Sequence, residues 1–413
     1  MSLLKKIWEL LFSNFMVLYV IMGLAVLAGR FVPVMQLLMI SSFLYGVYML
    51  TEIKKINSID FLILVYFGYI IINIIGIDYP HHLRFIVQAF IFQICPLMCY
   101  FIARSNNLEL STVFNKMTIP IVFAMIVGLY CQISQPDWYS SIKWERIYDQ
   151  YGANADSNSV FEQTRLSSIW LSSYYIAFAS LFFSTYLLIE LSFKELEQRK
   201  KIIYIILLLL SVIILFYANH RTTLLGFVIS FLYCFAYGNN KNVKFYLAIA
   251  GIVIVVIVAL IIFSSPEYLE FITMRFENVT TEEGIVSRLE LTGGGQDLTT
   301  IFGNGYGRYS LRAREYGGWA IIDSEYQKHL GELGIVGFSL FILILINGLY
   351  NAVRLRKYAG LELCIFLFYL EAFIGASALS VDSEYSFIFW YALGKISKKS
   401  TDMQYQYSFI EEY

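Results

Sequence analysis

Residues 264–328 read SSPEYLEFITMRFENVTTEEGIVSRLELTGGGQDLTTIFGNGYGRYSLRAREYGGWAIIDSEYQK. Before them stands GIVIVVIVALIIF (251–263), and after them HLGELGIVGFSLFILILINGLY (329–350), both dominated by apolar residues. A membrane span needs roughly 20 apolar residues, so a long polar stretch between two such runs reads as an aqueous loop between spans. The stretch carries Arg275, Arg288, Arg308, Arg312 and Arg314. It holds two glycine clusters, Gly293-Gly294-Gly295 and Gly303-Asn304-Gly305-Tyr306-Gly307. It closes on Asp323-Ser324-Glu325-Tyr326 and runs into Gly331-Glu332-Leu333-Gly334-Ile335-Val336-Gly337. Pro266 fits the first position of a helix, with Leu269, Ile272 and Phe276 on one face, as in a short helix lying on a membrane. Irregular loops of this length are uncommon and tend to be functional or disordered; the arginine and aromatic content argues for function.

Composition supports the membrane reading. Of 413 residues, 58% are hydrophobic and 15% charged, with a mean hydropathy of +0.63. Soluble domains average about a quarter charged, and a soluble fold of this size cannot hide so much apolar surface. The net charge of -1 argues neither for nor against nucleic acid, and none is expected as a partner. The 32 Tyr and 34 Phe suit interfacial belts first and sugar-facing surfaces second. Cys95, Cys99, Cys131, Cys234 and Cys364 all fall in apolar runs, which argues against a disulfide framework. His81, His82, His220 and His329 lack metal-ligand spacing. The first apolar run lacks a convincing small-residue cleavage site and reads as a retained span.

The chain reads as one polytopic all-α domain, 1–413, with about twelve transmembrane helices and eleven as the alternative. The spans lie near 11–29, 33–51, 60–77, 85–103, 118–135, 166–190, 201–217, 222–238, 244–263, 329–350, 360–379 and 385–396. Two long extracytoplasmic loops result, 136–165 and 264–328, with a polar tail at 399–413 expected to fray in the cytosol. The basic residues set the orientation. With both termini cytoplasmic, 18 of the 30 cations lie inside and 12 outside. Residue type splits further: 14 Lys and 4 Arg inside, against 2 Lys and 10 Arg outside. Arginine grips phosphate or carboxylate with a planar fork of donors and never deprotonates. An Arg-rich outer face is therefore a candidate anion site. The plainer alternative pairs these arginines with the loops' own carboxylates, among them Glu277, Glu282, Glu283, Glu290, Asp297 and Glu315.

Several residues are candidates for chemistry. Arg221, in Asn219-His220-Arg221-Thr222-Thr223, sits in a turn so short that it is held at headgroup depth; the alternative is an arginine snorkelling to ordinary phospholipid. Arg165 ends the first long loop, which opens Pro136-Asp137-Trp138-Tyr139 and is turn-rich from Gly152 to Ser159. Arg288 has Glu283 and Glu290 as local pairing alternatives. Gly303, Gly305 and Tyr306 belong to a turn whose backbone approaches a ligand closely or folds tightly, without the strand and Gly-Lys-Ser/Thr of a nucleotide loop. Asp323 or Ser324 would cap the following helix and Glu325 would favour its dipole. A carboxylate held there stays ionised, as a base must. Ionisable residues inside spans are rare, Glu371 being the clearest. Charge sits instead at the outer rim, which disfavours an ion-coupled transporter.

These features together resemble the Wzy-type O-antigen polymerase and O-antigen ligase superfamily. The match rests on the span pattern with two long outer loops and on the basic turn His220-Arg221-Thr222-Thr223. It rests also on Ser287-Arg288 followed by Gly303-Asn304-Gly305-Tyr306-Gly307, and on the polar pair and Tyr326 leading into Gly331–Gly337. Ligases of this superfamily show His-Asn where this chain has Asp323-Ser324, which favours a polymerase and leaves the base open among Asp323, Glu325 and neither. The resemblance implies a GT-C-like membrane glycosyltransferase of the bacterial inner membrane. The implied donor is a growing chain on undecaprenyl diphosphate, and the implied acceptor is a newly flipped lipid-linked repeat unit. Catalytic roles fall to Arg221, Arg288, Asp323 and Glu325; substrate binding falls to Arg165, Arg308, Arg312, Arg314, Gly303, Gly305, Tyr306 and Tyr326. The partners implied are undecaprenyl-diphosphate-linked oligosaccharides, the lipid bilayer and a chain-length regulator. No cofactor or metal is expected. A ligase acting on another acceptor, and a flippase or exporter of lipid-linked glycan, are the alternatives.

Overall fold

The structure, a computed structural model, describes residues 2–30, 32–75, 87, 90–151, 165–239, 251, 300–309, 324–376, 378–379 and 385–411. The expected span 244–263, the helix at Pro266, the Gly293-Gly294-Gly295 cluster, and Arg288, Arg312, Arg314 and Asp323 lie outside the described residues. Helices α1 (Ser2–Ser13), α2 (Phe15–Leu27), α3 (Val34–Thr51) and α4 (Ser58–Ile75) come first. Next is α5 (Phe90–Ser105), which opens with a π-helical turn at Phe90–Ile94. After it come α6 (Leu110–Lys116), α7 (Thr118–Ser134) and α8 (Asp137–Tyr151). Then follow α9 (Ser173–Phe193), α10 (Gln198–Ala218) and α11 (Arg221–Tyr237). The last three are α12 (Glu325–Arg354), α13 (Gly360–Gly375) and α14 (Ser386–Glu411). No strand occurs among the described residues.

By length and composition, α3, α9, α10 and α12 are able to cross a membrane as single helices. Two bent pairs raise the number to six: α1 with α2, bent 66°, and α6 with α7, bent 49°. Among the described residues, which leave out most of the expected span 244–263, the expected count of twelve is therefore not reached on these criteria. Runs that read as continuous in sequence are divided by bends, and Ser58–Ile74, the α5 segment and α11 form shorter apolar helices. The exterior is nonetheless suited to lipid. Ile119, Ile133, Ile72 and Ile374 are each more than two thirds exposed, and Leu37, Leu44, Ile206, Leu232 and Ile346 also face outward. Water would penalise a belt of this kind.

The bundle is organised around α9. The most apolar window of α9 is 89% buried, against 39% for that of α10. A helix apolar on all sides belongs inside a bundle. α9 packs on α10, α11 and α13, and Thr185 bonds Ser230 of α11 at 2.9 Å. Elsewhere α14 lies close against α5, where a Cβ on Gly394 would stand 2.3 Å from the Tyr100 carbonyl oxygen. Only a residue without a side chain permits that approach.

Three expectations change. The first long loop opens with α8, and Tyr139 of that helix donates from its hydroxyl to the Ser168 carbonyl at 2.8 Å. The span expected from 166 begins as a helix only at Ser173, after a 3-10 turn at Ser168–Trp170. The tail expected to fray is a continuation of α14 to Glu411. Polar residues of α14 are held by neighbours. Lys395 Nζ donates to Asn106 O, Ser400 Oγ to Asn351 Oδ1, and Lys399 pairs with Glu362 at 2.7 Å.

Candidate functional site

Two groups of polar residues stand out. The first forms where α12 breaks. Gly334 has φ +67° and ψ -171°, a left-handed conformation with little cost only for glycine. The chain reverses there. His329 and Phe341, twelve residues apart, would lie about 18 Å apart along a straight helix, yet their rings stack with centroids at 4.1 Å. Tyr326 likewise meets Phe341. α12 is thus a short arm, 325–333, folded against a long arm, 335–354, which has the length of a span.

The glycine segment 300–305 is threaded into this break. A continuous helix would bond Ile335 N–H to Gly331 O and Val336 N–H to Glu332 O. Instead Ile335 N–H donates to Thr300 O at 3.0 Å and Val336 N–H to Ile301 O at 3.2 Å. The freed carbonyls of Gly331 and Glu332 accept from Asn304 N–H and Gly305 N–H at 2.9 and 3.0 Å. Leu333 O accepts from the Tyr69 hydroxyl, which also reaches Phe302 O. Each backbone group released by the break thereby finds a partner, as irregular backbone in an apolar setting requires. A Cβ on Gly303 would stand 2.1 Å from Glu332 O. The close approach that Gly303 and Gly305 allow is to the protein's own helix. Tyr306 is buried, with its N–H on Asn73 Oδ1 at 2.7 Å. Burial pushes its hydroxyl well above the usual tyrosine range, and the charges of Glu332 and Glu325 push the same way. Arg308 folds back to Asn304 O at 3.0 Å.

The short arm carries four ionisable side chains on one face, Glu325, Lys328, His329 and Glu332, each 2% exposed or less. His329 Nδ1 lies 2.9 Å from Glu325 O and 3.2 Å from Glu325 Oε1, and Nε2 lies 2.7 Å from the Tyr66 hydroxyl. The neutral tautomer with hydrogen on Nδ1 satisfies both sides, with Tyr66 donating to Nε2. Glu325 Oε2 accepts from Leu379 N–H at 2.8 Å. Glu332 Oε1 accepts from Tyr309 N–H at 3.0 Å and lies 4.0 Å from Lys328 Nζ. Ser324 is the N-cap residue, but its hydroxyl donates to Phe373 O and makes no cap bond. Tyr326 donates to Leu370 O, tying the arm to α13.

The second group surrounds the turn between α10 and α11, which consists of Asn219 and His220 alone. Asn219 takes φ +49° and ends α10; asparagine is among the few residues that tolerate this. Arg221 is the exposed first residue of α11. The end of the first long loop is fastened here, since Leu166 N–H donates to Tyr217 O at 3.0 Å. Lys143 Nζ donates to Arg165 O at 2.7 Å. Burial and then the charge of Arg165 hold His220 down to about 4, so its ring is neutral at ordinary pH. The charge of Arg165 thus reaches this turn from the loop end that Lys143 fastens, and Arg221 follows the turn in the chain. A cation at a helix N-terminus opposes the helix dipole, an arrangement that an anion would relieve.

The structure thus brings the charge of Arg165 to His220, the residue before Arg221, and it seats Gly303, Gly305 and Tyr306, with Arg308 after them, against the short arm that carries Glu325 and Tyr326. A row of rings runs between the groups, from His220 through Phe178, Tyr385, Phe182, Tyr369 and Phe373 to Tyr326. Sequence reading missed Tyr66, Tyr69, Asn73, Lys143, Lys328, His329 and Glu332 as site residues. The signal for three of them was present: positions 325, 328, 329 and 332 share one helical face directly before an apolar run. These four side chains are enclosed within the bundle. Compared with protein-family models and with curated proteins, the chain matches none.

Proposed function

We propose that this protein is a membrane glycosyltransferase that polymerises lipid-linked oligosaccharide repeat units at the outer face of a bacterial cytoplasmic membrane. In this reading a dozen spans leave both termini in the cytosol, and the fold is GT-C-like. The growing chain leaves undecaprenyl diphosphate and joins a sugar hydroxyl of a new repeat unit. The observation behind the proposal is the basic turn, where the charge of Arg165 reaches a neutral His220 and Arg221 opens the next helix.

Diphosphate gains charge as the glycosidic bond breaks. Arginine donors fixed in place stabilise that charge more in the transition state than in the ground state. Each hydrogen bond to a charged group contributes about 1.5–3 kcal/mol. Arg221 stands in the first turn of α11, the end of a helix whose dipole and N–H groups favour an anion. Arg288, Arg312 and Arg314 would contribute from the second long loop. Two substrates tethered in one membrane supply proximity. Glu325 is engaged by His329 and Leu379 N–H, so we assign it the positioning of the arm, and Asp323 is the carboxylate to test as base.

The test is elongation of a lipid-linked repeat unit by purified protein in detergent. Arg221→Ala and Arg165→Ala should each slow elongation about ten- to hundredfold, and Arg221→Lys should not restore it, lacking the planar fork. Undiminished elongation by folded Arg221→Ala would remove the basis of the proposal. A second reading, export of lipid-linked glycan, draws support from the enclosed charges of the short arm, since transport pathways hold such groups inside the bundle. Translocation of a fluorescent lipid-linked sugar without elongation would favour it.

A further inference from the structure

The short arm encloses two carboxylates together with Lys328 and His329. His329 stands against Glu325 and Tyr66, and Lys328 Nζ lies 4.0 Å from Glu332 Oε1. No other ion pair reaches the four side chains among the described residues. The titratable groups that face Glu332 from other elements are Tyr66 on α4, and Tyr306 and Tyr309 just beyond the glycine segment. Arg308, beside Tyr309, donates from its guanidinium to Asn304 O. Glu332 is fully buried; its carboxylate takes the Tyr309 N–H on Oε1 and draws on the Gly307 N–H, while Oε2 makes no bond of ordinary hydrogen-bond geometry. An enclosed carboxylate oxygen without a donor is costly, and one left as a net charge is costlier still.

We propose that Glu332 is a proton-binding site, occupied and vacated as the glycine segment seats and unseats on the break at Gly334. The proton comes from water on the loop side and returns to it. An O–H bond forms at Oε2 and the Glu332 carboxylate loses its charge, with no bond to carbon made or broken. Glu332 lies two residues from the turn, directly beneath the Gly305 N–H and the Tyr309 N–H that hold the segment down. Seating the segment removes water from Oε2 and favours the neutral acid; lifting it exposes Oε2 and favours release. Protonation and the position of the segment are thereby linked, so that each shifts the other equally. The site does not depend on the glycan reading and holds for an exporter as well.

Infrared titration of the full-length protein in lipid nanodiscs, between about pH 5 and pH 9, tests this directly. We expect a carboxylic-acid carbonyl band that shifts in deuterium oxide and titrates within that range. Glu371, whose Oε2 is likewise buried without a partner, is removed first: the band should remain in Glu371→Gln and be lost when Glu332→Gln is added to it. Thermal unfolding of Glu332→Gln should match or exceed that of the unaltered protein, which separates loss of the acid from loss of the fold. A titrating band that persists in the double variant, or its absence in Glu371→Gln alone, would overturn the proposal. So would displacement of the band by sodium at constant pH, which would assign the site to a metal ion.

Discussion

The bundle is tied by two buried polar knots, and they are built differently. One joins the start of α4 to α5 and α14. Asp60 is buried and accepts from Arg104 Nε at 3.3 Å, from the Tyr100 hydroxyl and from Asn57 N–H at 2.9 Å. Arg104 continues to Thr401 Oγ1 and Lys55 O, and Asn57 reaches Ser397. Both Asp60 oxygens have donors and the charges cancel. The other knot is the short arm of α12 with the glycine segment. It is held largely by backbone bonds and leaves Glu332 Oε2 without a donor of ordinary geometry. A closed knot of the first kind holds helices in one arrangement. The second kind has one open position that gains from a proton.

This contrast is open to measurement. Asp60→Ala should have the largest effect. It strands Arg104 as an unpaired buried cation, at a cost of about 3–5 kcal/mol, read as loss of folded protein or a lowered thermal midpoint in detergent. Gly334→Ala should follow at about 2–3 kcal/mol, from a side chain forced to φ +67° against the Gly303 nitrogen at 2.3 Å. Protease cleavage within 300–309 should rise with it. Survival of the segment's protection in Gly334→Ala would mean that the break does not hold it.

Acid should act at the basic turn. The folded value of His220, about 4, lies below the ordinary 6.5, so between those values the unfolded chain binds the extra proton. The contribution of a neutral His220 is intact above about pH 6.5, declines as pH falls and is gone below about pH 4. The slope of thermal midpoint against pH in that window should flatten in His220→Asn. Tyr69→Phe should cost about 1 kcal/mol by removing the hydroxyl shared between Phe302 O and Leu333 O. Glu332→Gln should cost nothing measurable or stabilise, whereas Asp60→Asn should destabilise. Equal losses from these two conservative changes would erase the distinction between the knots.

Much of this was legible in the chain. The apolar runs located α3, α4, α7, α10, α11 and α13 to within a few residues, because a helix in an apolar medium must satisfy its own backbone and a run of that length has no other regular option. The basic turn was legible too, since two residues between helices cannot travel. The partnership of the glycine segment with the α12 break was not. Gly303, Gly305 and Gly334 each signalled unusual backbone, but nothing local says that the first two serve the third. Lys328, His329 and Glu332 were passed over because the run from 329 read as one straight span. On a straight helix they would lie at its outer end.

What the amino-acid order alone determined is the all-helical, lipid-suited character of the chain and the clustering of arginine in its polar segments. Hydropathy and charge are properties of each residue and need no partner. What tertiary structure decided is the reversal at Gly334, the enclosure of Glu325, Lys328, His329 and Glu332, and the approach of Arg165 to His220. Each depends on backbone and charged groups finding partners far away in sequence, and the cost of leaving such a group unpaired in an apolar interior selects one arrangement only once the helices have come together.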